Sequence, residues 1–133
     1  MSKLPIKPPE DETDADLLKN ILANARRLGE HEYADRVQRR IWAIRAVGET
    51  ELERRFNEFL AAYESFLTEK NERTTRAMRT IKKVQNRGIK QTLTDWALSV
   101  APTPGFKDLI GRGYWRQTAE YLVVSMPDEF PPS

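Results

Sequence analysis

The sequence of 133 residues contains no cysteine and a single histidine, His31. Without thiols the chain cannot form disulfides, use a thiolate nucleophile or bind a metal through sulfur. One histidine cannot supply a multi-histidine metal site, and its position in a helix connection argues against a histidine-based triad. We therefore predict no metal, no cofactor and no catalytic residue.

Long hydrophobic runs are also missing. No apolar stretch approaches the roughly 18 residues that a membrane-spanning helix needs. The N-terminus leads directly into Pro5, Pro8, Pro9 and acidic residues, and not into the apolar segment of a signal peptide. We expect a soluble, cytoplasmic protein with no membrane partner. Hydrophobic residues make up 39% of the chain, which is enough for a globular core.

Acidic residues are absent from residues 73–90, although the rest of the chain mixes both charges. This segment carries seven cations: Arg73, Arg76, Arg79, Lys82, Lys83, Arg87 and Lys90. Surface helices usually place Glu four residues from Lys or Arg, which keeps the local field small. A helix without such partners repels itself, and an anionic partner would relieve that repulsion. Nucleic acid is the commonest such partner in a cell.

The spacing of apolar residues predicts an all-α fold that begins with a helical hairpin. The first helix starts near residue 13 or 14 and stops before Gly29, and the second covers residues 30–46. The connection between them is short, so the two helices should pack antiparallel.

The third helix is predicted to be long and amphipathic. Its apolar residues between Leu52 and Leu67 fall within about 120° of helical arc, and those between Ala77 and Val84 fall in the same arc. A break would normally scramble that phase. We therefore predict one continuous helix from about Thr50 to Asn86, roughly 55 Å long at 1.5 Å per residue.

A small helical cluster is predicted at the C-terminal end. It comprises a helix over residues 89–100, one or two turns over residues 106–110 and a last element over residues 114–126. The β-branched run in the last element would suit a strand, but no partner strand is evident, so a helix is favoured. Trp115 is expected in the core, because a small domain buries its large aromatic side chains.

These elements are predicted to form one domain over residues 13–126. Its first part, residues 13–67, holds the hairpin and the first half of the long helix. Its second part, residues 68–126, holds the second half of that helix and the C-terminal cluster. Residues 1–12 are expected to be a disordered tail, and residues 127–133 a second tail.

The basic residues follow one face of the predicted long helix. Five side chains lie within about 100° of one another, with Arg73 and Lys90 beside them: Arg76, Arg79, Thr80, Lys83 and Arg87. We predict that these residues bind the phosphate backbone of DNA or RNA; the alternative is a solvated helix face. With the following helix they outline a helix-turn-helix, but that second helix offers few polar side chains for reading bases.

A polar notch interrupts the apolar arc of the same helix at Lys70 and Thr74, next to Glu69 and Asn71. Either the helix leaves the core here, or these residues form a polar site together with Arg73 and Arg76. An unpaired buried lysine would be costly, so Lys70 must reach water, a carboxylate or a ligand. Catalysis is disfavoured because three adjacent helical side chains point in different directions.

The C-terminal half of the chain resembles a group of small uncharacterised bacterial proteins. The resemblance rests on Glu69-Lys70-Asn71, Arg73, Thr75-Arg76-Ala77 and Arg79-Thr80. It continues through Gln91-Thr92-Leu93, Asp95-Trp96-Ala97-Leu98, Gly105-Phe106 and Glu120-Tyr121-Leu122-Val123-Val124. It implies no activity or ligand.

Three functional hypotheses follow from the sequence. The preferred one is a non-enzymatic nucleic-acid-binding protein. The alternative is a helical adaptor that forms a homodimer or docks an acidic protein partner. The third is an enzyme that uses the polar notch at residues 69–76. Whether the partner is DNA or RNA is left open.

Overall fold

The computed structural model describes residues 7–130, and its regular elements over that range are all helical, which confirms the all-α prediction. Seven α-helices follow one another: α1 Ala15–Arg27, α2 His31–Arg45, α3 Glu51–Asn71, α4 Met78–Arg87, α5 Ile89–Ala97, α6 Phe106–Gly111 and α7 Ala119–Ser125. Two 3-10 turns accompany them, at Pro9–Asp11 and Trp115–Gln117. The chain divides into two compact units, Met1–Arg45 and Ala46–Ser133.

The first unit is the predicted helical hairpin of α1 and α2. Asp14 caps α1, since its carboxylate accepts hydrogen bonds from the backbone N–H groups of Asp16 and Leu17 at 3.0 and 3.2 Å. Gly29 connects the two helices with a φ of +74°, which glycine adopts without strain. The facing helix sides bury one apolar cluster: Leu18, Ile21, Leu22, Ala25, Ala34, Val37 and Ile41.

The two predicted tails lie partly outside the described residues, at 1–6 and 131–133. Residues 7–12 carry a 3-10 turn that is fixed to α2. The Arg36 guanidinium donates to Glu10 at 2.6 and 3.0 Å, and the Arg40 Nε donates to the backbone carbonyl of Glu12 at 2.8 Å. At the other end, residues 127–130 form a turn whose Glu129 lies 3.5 Å from Lys90.

The second unit is built around α3, which contacts α5, α6 and α7. An aromatic cluster forms where α3 meets α5: the Phe59 ring lies 5.6 Å from Phe56, 5.9 Å from Trp96 and 6.1 Å from Tyr63. One leucine from each of α5, α6 and α7 is also buried, with at most 2% of its surface exposed: Leu93, Leu109 and Leu122. The last element is helical as predicted, and Thr118 caps it by accepting from the Tyr121 N–H at 3.1 Å.

The predicted continuous helix from Thr50 to Asn86 is wrong. α3 ends at Asn71, Glu72 adopts the left-handed conformation at a φ of +56°, and residues 73–77 are not helical before α4 begins at Met78. The apolar arc therefore belongs to two helices that share a phase across a break. α5 and α6 start where predicted, although α5 ends at Ala97. The last predicted element, residues 114–126, divides into the 3-10 turn Trp115–Gln117 and α7, which starts at Ala119.

Side chains of α3 hold the break in place. The Glu64 carboxylate accepts from the backbone N–H of Ala77 at 2.9 Å, and the Thr68 hydroxyl accepts from that of Thr75 at 2.9 Å. In a straight helix, residues 64 and 77 would lie about 20 Å apart at 1.5 Å per residue. These bonds therefore require the chain to turn back, and periodicity carries no information about them.

Replacing Glu64 with alanine should destabilise the second unit by about 1–3 kcal/mol. The buried backbone N–H of Ala77 would be left without its acceptor, and Arg76 without its partner. Urea unfolding of the variant and the parent measures the difference. Glu58→Ala is the matched control, because burial raises the pKa of Glu58 and that carboxylate accepts no hydrogen bond within residues 7–130. Equal effects of both substitutions would contradict the prediction.

Candidate nucleic-acid interface

The predicted basic face does not lie on one helix. Arg73 and Arg76 belong to the connection after α3, and Lys90 lies in the first turn of α5. The remaining cations lie on α4: Arg79, Lys82, Lys83 and Arg87. The basic residues therefore differ in what surrounds them, and each must be considered by its own contacts.

Arg76 is engaged in holding the connection. Its Nε donates to the Glu64 carboxylate at 2.8 Å, and the Glu64 side chain is only 3% exposed. The same carboxylate oxygen accepts from the Ala77 N–H. Although more than half of the Arg76 side chain is exposed, its charge is directed to a buried acid, so its first role is structural.

Asp95 of α5 forms salt bridges with two cations near the end of α4, Lys83 and Arg87. Its carboxylate accepts from the Arg87 Nε at 2.6 Å and Nη2 at 3.1 Å, and from the Gln91 amide at 2.9 Å. The Lys83 Nζ lies 3.1 Å from the same carboxylate. These hydrogen bonds, first from Arg87 and then from Gln91 and Lys83, hold the pKa of Asp95 far below its usual value. Asp95 therefore neutralises part of the basic face.

Gly88 brings Asp95 to this position. It is the only residue between α4 and α5, and it has a φ of +84°, a conformation that favours glycine. The tight corner places the acid of one helix beside the cations of the other. Sequence reasoning missed Asp95 because it lies outside the acid-free segment. The signal that could have found it was its spacing, four residues after Gln91 and eight after Arg87.

Two further residues predicted to contact nucleic acid, Thr80 and Lys90, have surroundings that the sequence did not indicate. Thr80 is buried, with 5% of its surface exposed, so it does not lie on the exposed basic face where it was predicted. Thr80 and the half-buried Val84 are four residues apart and so lie on the same, inward side of α4. Lys90 lies 3.5 Å from the Glu129 carboxylate, so its charge is also partnered.

Arg73, Arg79 and Lys82 remain as exposed cations that form no salt bridge within the described part of the chain. Arg79 and Lys82 are three residues apart on α4 and so lie on the same side of that helix. We name these three residues the open basic set. Lys83, one-third exposed, and Arg87, half exposed, lie at its margin.

The polar notch is closed by salt bridges to the segment around α6. Glu69 accepts from both Nη atoms of Arg112 at 2.8 and 3.1 Å, and Lys70 lies 3.7 Å from Asp108. Lys70 thus reaches a carboxylate, one of the three partners predicted for it. The Arg112 guanidinium also lies 4.8 Å from the Phe66 ring centre. The notch residues stabilise packing of α6 on α3.

The two other notch residues do not point to a ligand. The Asn71 amide donates to the Thr75 hydroxyl at 3.2 Å, a contact within the connection itself. Thr74 is exposed, and it forms no hydrogen bond in the described range. A cavity of about 380 Å³, lined by both polar and apolar side chains, opens next to Tyr63, Lys70 and Asp108. No cluster of acids or histidine in residues 7–130 could hold a metal ion.

The prediction that Trp115 lies in the core is wrong, since 46% of its surface is exposed. The Arg116 guanidinium lies 4.8 Å from the Trp115 ring centre, and the Tyr121 ring meets Trp115 edge-on at 5.1 Å. The 3-10 turn at Trp115–Gln117 directs this side chain outward, while its neighbour Tyr114 is the buried aromatic.

Searches against protein-family models, curated proteins and solved structures find no match to this chain. The resemblance to small bacterial proteins therefore stays a prediction. None of the helices in the described range is long and apolar enough to span a membrane.

The Asp95 cluster should make the fold sensitive to acid. The pKa of Asp95 in the folded chain lies far below that of an unfolded aspartate, about 3.9. Its contribution to stability is therefore complete above that value and disappears as the pH falls toward the folded pKa. Between about pH 5 and pH 2.5, the free energy of unfolding should fall more for the parent than for Asp95→Asn.

Urea titrations at both pH values measure this difference. Asp128→Asn serves as the control, because Asp128 is exposed and forms no salt bridge in the described residues, so this variant should follow the parent. Equal acid sensitivity of the parent and Asp95→Asn would contradict the assigned role of Asp95.

Proposed function

We propose that this is a non-enzymatic, cytoplasmic nucleic-acid-binding protein that contacts backbone phosphate through the open basic set. The observation that carries the proposal is that Arg73, Arg79 and Lys82 are exposed without a carboxylate partner among residues 7–130. They lie in a segment of 18 residues without any acid. Phosphates would relieve the mutual repulsion of these cations, and neutralising them would release counterions from the nucleic acid.

The polar side chains of α5 favour contact with phosphate over the reading of bases. In a helix-turn-helix the second helix carries the side chains that read bases. Here its polar residues are engaged: Thr92 is fully buried, Gln91 donates to Asp95, and the Thr94 hydroxyl donates to the backbone carbonyl of Lys90. Binding through arginines and lysines of the connection and α4 carries little sequence information. We therefore propose binding with little sequence preference.

Asp95 would compete with phosphate for two of the cations. Lys83 and Arg87 are held by this carboxylate, yet both side chains keep part of their surface exposed. A nucleic acid that reached them would have to displace or share Asp95. The proposal therefore gives Asp95 a second consequence, which is to limit affinity at the margin of the open basic set.

Replacing Arg73, Arg79 and Lys82 together with glutamine should weaken binding while the fold persists, because glutamine has a similar helix propensity and no salt bridge is removed. The salt dependence should also become shallower, by roughly 0.9 in the logarithmic slope for each phosphate that the variant no longer neutralises. Fluorescence anisotropy with single- and double-stranded DNA and RNA at several salt concentrations measures both quantities.

The matched control replaces three exposed cations outside residues 73–90 with glutamine: Lys19, Arg27 and Lys107. Both triple variants change the net charge from +2 to −1. The control should keep the salt slope of the parent, because its charges are not in the open basic set. The nucleic-acid proposal fails if both variants reduce affinity equally or if the parent does not bind at low salt.

Asp95→Asn provides a test of opposite sign. Removing this carboxylate frees Lys83 and Arg87 for phosphate, so nucleic-acid affinity should rise and the salt slope should steepen. The same anisotropy titrations measure it, at a pH where circular dichroism shows the variant folded. Unchanged affinity would mean that these two cations take no part in binding.

A helical adaptor is the second candidate, and exposed apolar side chains favour it. Leu98, Val100 and Val124 expose 79%, 107% and 73% of their surface, and Val124 lines an apolar groove of about 230 Å³. Exposed apolar surface of this kind is typical of protein contacts. Salt-insensitive binding to a protein, with no affinity for nucleic acid, would favour this candidate.

A further inference from the structure

The break between α3 and α4 interrupts an apolar pattern that fits a continuous helix. At 100° per residue, Ala77, Ile81 and Val84 continue the arc set by Phe56, Phe59 and the other apolar residues of α3. A connection that had no helical alternative would be free to depart from this phase. The observed structure buries Ala77 and Thr80 and half-buries Ile81 and Val84, so the inward face of α4 overlaps this arc in the bent form.

The connection lacks the residues that usually end a helix. Residues 72–77 contain neither glycine nor proline, the two residues that most often end helices. Glu72 adopts a left-handed conformation that is unfavourable for a residue with a side chain. α4 begins without a side-chain cap at Ala77. Within the connection, the Thr75 hydroxyl donates to the Arg73 carbonyl at 2.8 Å, and the other side-chain contacts that hold the bend come from α3.

We propose that residues 72–77 form a hinge, and that two copies of this chain exchange the segment from α4 to α7 when the hinge becomes helical. In the exchanged dimer, α3 and α4 of one copy would join into one helix over residues 51–87. The α4–α7 segment of each copy would then pack on α3 of the other. This proposal does not rest on the proposed function, since it is argued only from packing within the second unit.

The interactions that exchange would preserve are numerous. The aromatic packing of Phe56 and Phe59 with Trp96 joins α3 to α5, and the Glu69–Arg112 and Lys70–Asp108 salt bridges join α3 to the α6 region. Each would re-form between copies. This is the condition under which exchange of an identical element is a low-cost route to a dimer.

The interactions that exchange would break are those that fix the hinge. They are the hydrogen bonds from the Ala77 and Thr75 N–H groups to Glu64 and Thr68, the Arg76–Glu64 salt bridge, and the hydrogen bond from the Thr75 hydroxyl to the Arg73 carbonyl. In return, residues 72–77 would form helical backbone hydrogen bonds, and Glu72 would leave its left-handed conformation. The balance between these two sets determines how much dimer forms.

Light scattering coupled to size-exclusion chromatography tests the proposal. The parent, refolded from urea at high protein concentration, should yield a dimer fraction, and Glu64→Ala should increase it. Glu72→Gly should weaken the dimer about tenfold or more, because glycine suits the left-handed conformation of the monomer and disfavours a helix at two positions of the dimer. Thr74→Pro should abolish it, since proline cannot occupy a helix interior.

Asn86→Gly is the matched control. Residue 86 is exposed and helical in both forms, so glycine there should lower the stability of both without changing their ratio. Circular dichroism and thermal unfolding verify that each variant folds. A strictly monomeric parent and a strictly monomeric Glu64→Ala variant would overturn the proposal, as would a dimer that Glu72→Gly and Asn86→Gly affect equally.

Cross-linking distinguishes exchange from simple association. The chain contains no cysteine, so Glu69→Cys with Arg112→Cys introduces the only two thiols, at positions whose side chains form a salt bridge across α3 and the end of α6. A short bis-maleimide should link these positions within one chain in the monomer fraction. In the dimer fraction it should link two chains, seen as a dimer band in denaturing electrophoresis. Links within single chains in both fractions would refute the exchange.

Discussion

The second unit depends on the capture of two backbone N–H groups by side chains of α3. Glu64 and Thr68 lie one helical turn apart, and they accept from Ala77 and Thr75, which are two residues apart in the connection. The acceptors are spaced as on a helix and the donors as on an extended chain, and both hydrogen bonds form only if the chain turns back after Asn71. The packing of α4 and α5 follows from it, because both helices are placed by where the connection ends. A buried carboxylate is suited to this role, since it can accept from a backbone N–H and from Arg76 at once.

Charge pairing divides the basic segment into two classes. Arg76, Lys83, Arg87 and Lys90 have carboxylate partners, and those partners lie 8 to 39 residues away along the chain. The open basic set has none within residues 7–130. Such pairing is of modest energetic value for exposed side chains, but it determines which charges remain free to meet an external anion. The proposed nucleic-acid surface is therefore smaller than the acid-free segment suggested.

The all-helical character of the chain and its helical hairpin were predictable, because both depend on the spacing of residues that are close in sequence. The apolar stripe of α1, the Asp14 cap and Gly29 all act within a few residues, and so does the Thr118 cap of α7. The break at Glu72 was not predictable in this way, because residues 72–77 contain no glycine or proline and the apolar phase continues across them. The outward position of Trp115 was missed for a similar reason: the 3-10 turn buries Tyr114 in its place.

The sequence by itself determined where positive charge accumulates and which residues can form helices, since composition and periodicity are properties of the linear chain. Only the tertiary structure decided which of those charges are neutralised and where the helices end. Asp95 reaches Arg87 through the corner at Gly88, and Glu64 reaches Ala77 across a reversal of the chain. Both contacts join residues that a straight helix would hold far apart, so their formation depends on how the helices pack.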